Sequence, residues 1–169
     1  MYTIEEMSEV AAKFISTWKY EAPYEMYSFS DSKDEIAELQ NGLHFAVYDR
    51  EMGDCFEANP CGFLAIGWSA QIQDPKLSDI YEDESYTDIA FGLHPELCGK
   101  GMGEAFISEL ISFVRNLFEE EGIRLTVDIE NKRALSLYEK MGFKECFAFE
   151  TDCVDVARGK FLKMKIMIL

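Results

Sequence analysis

Three glycines at alternate positions, Gly99, Gly101 and Gly103, lie between a predicted strand that ends at Leu93 and a long predicted helix. The first N–H groups of a helix have no intrahelical partners, and the helix dipole places partial positive charge there. Glycines let successive N–H groups turn toward one anion and let a phosphate approach the backbone. Residues 98–103, which we call the glycine cradle, therefore predict an anion site suited to a pyrophosphate. Neither the Walker pattern nor the full dinucleotide fingerprint is present in this segment.

A second segment lies one predicted strand downstream, where residues 131–143 run N-K-R-A-L-S-L-Y-E-K-M-G-F. Together with L-H-P-E-L-C-G-K-G-M-G at residues 93–103, it resembles the GNAT superfamily of acetyl-coenzyme A-dependent N-acetyltransferases. Those proteins share a coenzyme loop V-x-P-x-x-Q/R-G-x-G-I/M-G/A and, later in the chain, N-x-x-A-x-x-L-Y-x-K-x-G-F. Both patterns occur here in that order, and the resemblance extends over about residues 43–150.

The resemblance implies acetyl-coenzyme A (acetyl-CoA) as co-substrate. It implies that the backbone of the strand pairs with the pantetheine arm, that the cradle N–H groups hold the pyrophosphate, and that Asn131 hydrogen-bonds the coenzyme. Tyr138 would donate a proton to the departing thiolate, and the seven residues from Asn131 to Tyr138 make two helical turns, so both face one side. The implied coenzyme-binding residues are Phe91, Leu93, Cys98, Gly99, Lys100, Gly101, Met102, Gly103 and Asn131.

The chain departs from the superfamily pattern at Cys98, where an arginine or glutamine is usual. A guanidinium there would add charge-assisted hydrogen bonds to phosphate, which a thiol cannot do. We expect the backbone donors to bind the anion without it, and Lys100 or Arg133 to be the cation that compensates.

The elements that must position these residues follow from periodicity and turn signals. A capping box at residues 3–6 predicts a helix through Trp18, and a second one at residues 32–35 predicts a short helix to about residue 40. Further helices are predicted at 101–121 and 131–141. Strands are predicted at 43–49, 61–68, 86–93, 123–129, 143–149 and 160–169.

This order predicts one α+β domain over residues 1–169, with helices flanking a mostly antiparallel sheet. The unit over residues 86–129 is β-α-β, so its two strands should be parallel. The resemblance implies that this parallel pair is splayed.

The expected chemistry is attack of a neutral amine on the thioester. Only about one alkylamine in two thousand is neutral at pH 7, so a base or a water chain is useful. Asp88 lies on the coenzyme strand and is the candidate base, although alternation places it opposite Phe91 and Leu93. Carboxylates elsewhere remain alternatives: Glu82, Asp83, Glu84, Asp128 and Glu130.

Acceptor choice is expected to reside in residues 19–29 and 69–85. The acidic residues 82–84 could attract a cation. Aromatic side chains in or just before the first range could line a pocket, namely Trp18, Tyr20, Tyr24 and Tyr27. The acceptor is left open among a peptide N-terminus, a polyamine and a small amine. Two further alternatives are a transferase for a longer acyl group and an idle acyl-CoA-binding or sensing module.

Charge and composition restrict the classes of binding partner that the chain is expected to have. The formal net charge of −16 disfavours nucleic acid and anionic membranes and favours a basic partner. The five cysteines form no C-x-x-C pair, which predicts reduced thiols and no bound metal. Since the sequence shows no signal peptide or long apolar run, a cytoplasmic location is predicted, and a homodimer is compatible with the strand edges.

Overall fold

A computed structural model describes residues 1–51, 58–118, 122–155 and 160–169. The strands are β1 (Tyr2–Glu6), β2 (His44–Asp49), β3 (Gly62–Ile66), β4 (Tyr86–Leu93), β5 (Gly122–Asp128), β6 (Lys144–Asp155) and β7 (Lys160–Ile168). The helices are α1 (Glu9–Ser16), α2 (Lys33–Leu39), α3 (Ser78–Tyr81), α4 (Gly103–Leu117) and α5 (Lys132–Lys140).

The described strands form one sheet in the order β1-β2-β3-β4-β5-β7-β6. The β4–β5 pair is parallel, and the other neighbours are antiparallel. The predicted α+β architecture with a parallel pair is therefore confirmed. The parallel pairing runs from Tyr86 opposite Gly122 to Ile89 opposite Leu125, although both strands continue for at least three more residues. The parallel strands thus separate beyond Ile89, as the resemblance implied.

The N-terminal prediction was wrong in one respect. Residues 2–6 form β1, which pairs with β2, and do not cap a helix. The reason is packing, because Tyr2 and Ile4 alternate onto the main core, and Tyr2 contacts Phe106 edge-on. Ser8 is the actual N-cap of α1, and its hydroxyl accepts the Ala11 N–H at 3.1 Å. The second predicted capping residue is confirmed, since Ser32 accepts the Glu35 N–H at 3.2 Å.

The helix after the cradle begins later than predicted. Gly101 has φ of +80°, which a right-handed helix does not allow, so α4 starts at Gly103. The end of the predicted helix, residues 119–121, lies outside the described residues. No helix was predicted between the strands at 61–68 and 86–93, but α3 and a 3-10 turn before it lie there.

Two layers of helices cover the sheet. The main core lies between the sheet and helices α4 and α5 and includes Leu64, Ile89, Phe106, Leu110 and Leu135. A smaller cluster on α1 and α2 packs with Phe63 of β3 and contains Ala12, Ile15, Trp18 and Leu39. The opening between β4 and β5 therefore lies between two separately packed helical layers.

Candidate active site

A cavity of about 840 Å³ lies where β4 and β5 separate. Its wall includes residues from both strands, from the glycine cradle, from α5 and from the loop over residues 19–29. The site residues predicted from the sequence that line this cavity are Phe91, Leu93, Cys98, Gly99, Gly101, Met102, Gly103, Asn131 and Tyr138. Lys100 and Asp88 are not among the lining residues.

The glycine cradle has the backbone geometry that its composition predicts. Gly99 and Gly101 have φ of +76° and +80°, a region in which a side chain is strained. Within the described chain, no carbonyl in a turn or loop accepts an N–H from Gly99, Lys100, Gly101 or Met102. These donors lie at the N-terminus of α4, which is 15 residues long, so they are available to an anion at the positive end of its dipole.

Arg133 is a cation that lies beside the cradle. Its Nη1 atom is 4.0 Å from the position that a Cβ on Gly99 would occupy, and its guanidinium lies 4.4 Å from the centre of the Tyr24 ring. Burial raises the pKa of the Cys98 thiol, and the adjacent Arg133 charge opposes that rise. Of the two cations proposed to compensate for Cys98, Arg133 lines the cavity and the exposed Lys100 does not.

Asn131 connects α5 to the loop over residues 19–29. Its side-chain oxygen accepts the Ala134 N–H at 3.2 Å and caps α5, while its amide nitrogen donates to the Tyr27 hydroxyl at 3.3 Å. The capping bond fixes the side chain at the cavity wall. The Asn131 amide therefore places the first turn of α5 and Tyr27 on the same cavity.

Tyr138 lies on α5 and lines the cavity, with its ring edge-on to that of Phe91 at a centroid distance of 5.8 Å. Phe143 packs against it at 5.8 Å. Burial raises the pKa of Tyr138 well above its ordinary value, and the nearby Tyr27 shifts it in the same direction. The phenol is therefore protonated at neutral pH, which allows it to act as a proton donor.

The structure does not bring Asp88 into the cavity. Arg124 grips its carboxylate with Nε to Oδ1 at 2.6 Å and Nη2 to Oδ2 at 2.8 Å, and both side chains are buried. The Gln71 amide donates to the same Oδ2 at 2.8 Å. Because both carboxylate oxygens are occupied and turned away from the cavity, this geometry favours a structural role for Asp88 over the predicted role as base.

Arg124 extends this ion pair into a clamp on the 71–83 connection. Its Nη1 donates to the Ile80 carbonyl at 2.6 Å, and its guanidinium lies 5.3 Å and 5.5 Å from the Tyr81 and Tyr86 ring centres. The Tyr81 hydroxyl accepts the Ile72 N–H and contacts the Thr126 hydroxyl, each at 3.2 Å. Ile72 and Thr126 line the cavity, so the clamp positions one of its walls.

The predicted acceptor residues divide into two groups. Tyr20, Tyr24 and Tyr27 line the cavity, and the Tyr20 hydroxyl donates to the Leu93 carbonyl at 2.8 Å. Trp18 does not; it is buried in the core beside Phe63 and the His94 ring. The acidic residues 82–84 and Glu130 also lie outside the lining.

Several residues that line the cavity were not predicted from the sequence as site residues. Phe63 lies over Gly92, where a Cβ would collide with its ring, so the glycine allows the ring to close the wall. Asp128, kept only as one alternative among several, is 1% exposed and lines the cavity. Others come from distant parts of the chain, namely Met26, Ile72, Leu162 and Met164. The one signal that pointed to Asp128 was its place at the end of a strand, on the polar side that it shares with Arg124 and Thr126.

The described residues contain no group of histidine, cysteine or carboxylate side chains arranged to hold a metal ion. No helix in the described ranges is long and apolar enough to cross a membrane.

The fold and the site together define a class of protein. A mixed sheet that opens between two parallel strands, with an anion cradle at the opening, is the arrangement of the GNAT fold. A model described as the acetyltransferase (GNAT) family matches residues 9–143. The chain belongs to this acetyltransferase family, which confirms the resemblance carried by the two sequence motifs.

An uncharacterised N-acetyltransferase of Methanocaldococcus jannaschii is 28% identical over 88 residues, which are 51% of this chain and 35% of that protein. The match thus spans about a third of the relative's length. Among solved structures, a chimera of the spermidine N-acetyltransferase of Vibrio cholerae and hSSAT superposes with a TM-score of 0.68 at 22% identity, covering 99% of this chain and 94% of that one. A dodecameric spermidine N-acetyltransferase of Vibrio cholerae gives 0.66 at 19% identity, covering 99% and 92%. At these identities the structures support the fold alone.

Proposed function

We propose that the protein transfers the acetyl group of acetyl-CoA to a primary amine by direct attack of the amine on the thioester. The observation that supports this most strongly is the cradle: unused N–H donors at the start of α4 open into the cavity between two separated parallel strands. A pyrophosphate at those donors would direct the rest of a coenzyme toward the gap.

The residues around the cavity fit that coenzyme. The N–H groups over residues 99–103 would hold the pyrophosphate; the Cys98 N–H, which was also predicted to do so, instead donates to the Pro95 carbonyl at 3.2 Å. Arg133 would supply the cation that Cys98 does not. Beyond Ile89, β4 no longer pairs with β5. The backbone groups of Phe91 and Leu93 on that side of the strand can therefore pair with the amides of pantetheine. Asn131 lines the same wall.

The chemistry requires a nucleophile, an activated carbonyl and a protonated leaving group, and the coenzyme supplies the carbonyl as a thioester. The amine nitrogen forms a bond to the carbonyl carbon, the carbon–sulfur bond breaks, and the nitrogen gives one proton to water, from which Tyr138 is reprotonated after it has protonated the sulfur. A backbone N–H on β4 would stabilise the oxyanion. Tyr138, protonated because of its raised pKa, donates its proton to the thiolate sulfur.

Four other predictions belong to this proposal. The chain would act as one domain in the cytoplasm, and the acidic surface would favour a cationic acceptor over nucleic acid. A homodimer through a strand edge remains an expectation.

A two-part experiment tests the function. Calorimetry with acetyl-CoA should show saturable binding, and a panel of amines should then give thiol release detected with a thiol-reactive dye. Binding without release for any amine would instead support the idle sensing module. Faster release from a longer acyl-CoA than from acetyl-CoA would support the longer-chain transferase.

A further inference from the structure

The cation beside the glycine cradle is in contact with the loop over residues 19–29. Arg133 is an exposed residue in the first turn of α5, and its guanidinium lies 4.4 Å from the centre of the Tyr24 ring. A guanidinium over an aromatic face is attracted by the ring and loses part of its conformational freedom. The Tyr24 ring therefore restrains a long exposed side chain and keeps it beside Gly99.

The Tyr24 ring is in turn held by its neighbours. Tyr24 and Tyr27 stack with their ring centres 6.5 Å apart and their planes at 28°. A single turn of backbone joins them, because the Tyr27 N–H donates to the Tyr24 carbonyl at 3.0 Å. The Asn131 amide donates to the Tyr27 hydroxyl at 3.3 Å. The stacked pair is thus attached to α5 at two points, the cap residue Asn131 and the guanidinium of Arg133.

This attachment has a particular consequence in a chain with a cysteine at position 98. The family pattern places an arginine or glutamine there, within the cradle, where the cradle backbone itself would position it. Arg133 instead reaches the cradle from α5, so its guanidinium needs a support of its own. The Tyr24 ring provides that support from a third part of the chain.

We propose that Tyr24 is a positioning residue for the coenzyme, which holds the Arg133 guanidinium where the pyrophosphate binds and so connects the loop over residues 19–29 to the coenzyme site. The donors of a guanidinium lie in its plane, so its face can stay on the ring while its edge points to a phosphate. Because Tyr24 also lines the cavity, the same contact places part of the acceptor wall relative to the coenzyme. The inference rests on the proposed binding of acetyl-CoA.

Calorimetry with acetyl-CoA tests the positioning role. Tyr24→Leu should weaken binding about threefold to fivefold, because the contact that holds the arginine is lost. Tyr24→Phe should recover most of that affinity, since phenylalanine keeps the ring face and lacks only the hydroxyl. Equal weakening by the two substitutions would show that the ring face is not what matters, against the proposal.

A double-mutant cycle with Arg133 distinguishes positioning of the guanidinium from a general effect on the loop. In an Arg133→Gln background, Tyr24→Leu should change acetyl-CoA affinity by less than about 1.5-fold, because no guanidinium remains to be held. The same threefold to fivefold loss in both backgrounds would overturn the inference while leaving acetyl-CoA binding intact. Absence of acetyl-CoA binding by the wild type would overturn the proposed function as well.

The control is Tyr48→Leu, which breaks a contact of the same kind outside the cavity. The Arg50 guanidinium lies 4.3 Å from the centre of the Tyr48 ring, and neither residue lines the cavity. This variant should bind acetyl-CoA as the wild type does, and melting temperatures check that each variant is folded. A loss equal to that of Tyr24→Leu would mean that the affinity follows overall stability, which would count against the proposal.

Amide hydrogen exchange tests the connection between the coenzyme and the loop. Saturating acetyl-CoA should slow exchange over residues 19–29 in the wild type, and should slow it less in Arg133→Gln, also at saturation. Equal protection of the loop in the two proteins would show that it does not respond to the coenzyme through Arg133, and would overturn that part of the inference.

Discussion

The two halves of the cavity are built in different ways. The cradle half presents the unused backbone N–H groups of residues 99–102, which are ordered by two glycines with positive φ and by the start of α4. The rest of the cavity wall, which we call the acceptor half, is formed by side chains from the loop over residues 19–29, from β3, from residues 70–72, from β5 and from β7. An anion site built from backbone N–H groups tolerates a change of side chain, as at Cys98. A pocket lined by side chains from distant parts of the chain can acquire a different ligand preference through a single substitution.

The largest expected effect concerns what holds the acceptor wall in place. Arg124→Met should lower the free energy of unfolding by about 3–5 kcal/mol, because it leaves the buried Asp88 carboxylate without its ion partner. Urea denaturation measures this. Replacing the exposed pair partner Lys76 by methionine should cost less than about 1 kcal/mol, because exposed ion pairs contribute little. Equal losses from the two substitutions would contradict the clamp.

The substitution Asp88→Asn distinguishes a structural role of the Asp88 carboxylate from a role as catalytic base. We expect a clear loss of stability, and an amine KM that rises more than kcat falls, because the wall at Ile72 and Thr126 shifts. A fall of kcat by about a hundredfold or more in a variant of unchanged stability would restore the role of base to Asp88.

Tyr138→Phe should reduce kcat by about a hundredfold or more with little change in acetyl-CoA affinity, because it removes the proton donor and keeps the ring that packs on Phe91. Tyr48→Phe, a buried tyrosine of β2 outside the cavity, is the matched control. Because the pKa of Tyr138 is raised, its loss of a proton should not limit the rate below pH 10. An alkaline decline near pH 8 that vanishes in Tyr138→Phe would contradict that direction.

A smaller effect is expected at the cradle itself. Arg133→Gln should weaken acetyl-CoA binding by about tenfold, while Lys100→Gln should change it by less than about threefold. Calorimetry at two salt concentrations measures both. The reverse order would mean that Lys100, which does not line the cavity here, is the cation that compensates for Cys98.

The smallest change is expected from restoring the usual family residue. Cys98→Arg should tighten acetyl-CoA binding only a few-fold, because Arg133 already occupies the space beside the thiol. No change or a loss of affinity would show that the two guanidinium groups compete for one site.

The cradle half could be predicted from the sequence because its geometry is local. Gly99 and Gly101 permit the turn, and Asn131 and Tyr138 are spaced by two turns of α5. Even there, only the three-dimensional structure distinguished Arg133 from Lys100, because both lie within a few residues of the pattern that the family shares.

The acceptor half could not be predicted in the same way, because its contacts join residues far apart in the chain. Asp88 and Arg124 are 36 positions apart and meet through the parallel register. Periodicity assigns Arg124 to the polar face of an alternating strand and gives no reason to pair it with Asp88. At the N-terminus, the capping pattern at Thr3 predicted a helix, but this segment pairs with β2 as a strand. The strand is favoured because it packs Tyr2 and Ile4 against the main core.

The most direct test of acetyl transfer is mass spectrometry of the products formed from carbon-13-labelled acetyl-CoA and phenethylamine, with wild-type protein and with Tyr138→Phe. We expect labelled N-acetyl amine and free coenzyme A in equal amounts from the wild type, and at least about a hundredfold slower formation of both by the variant. Free coenzyme A without acetylated amine, or no product from any primary amine despite saturable acetyl-CoA binding, would contradict it.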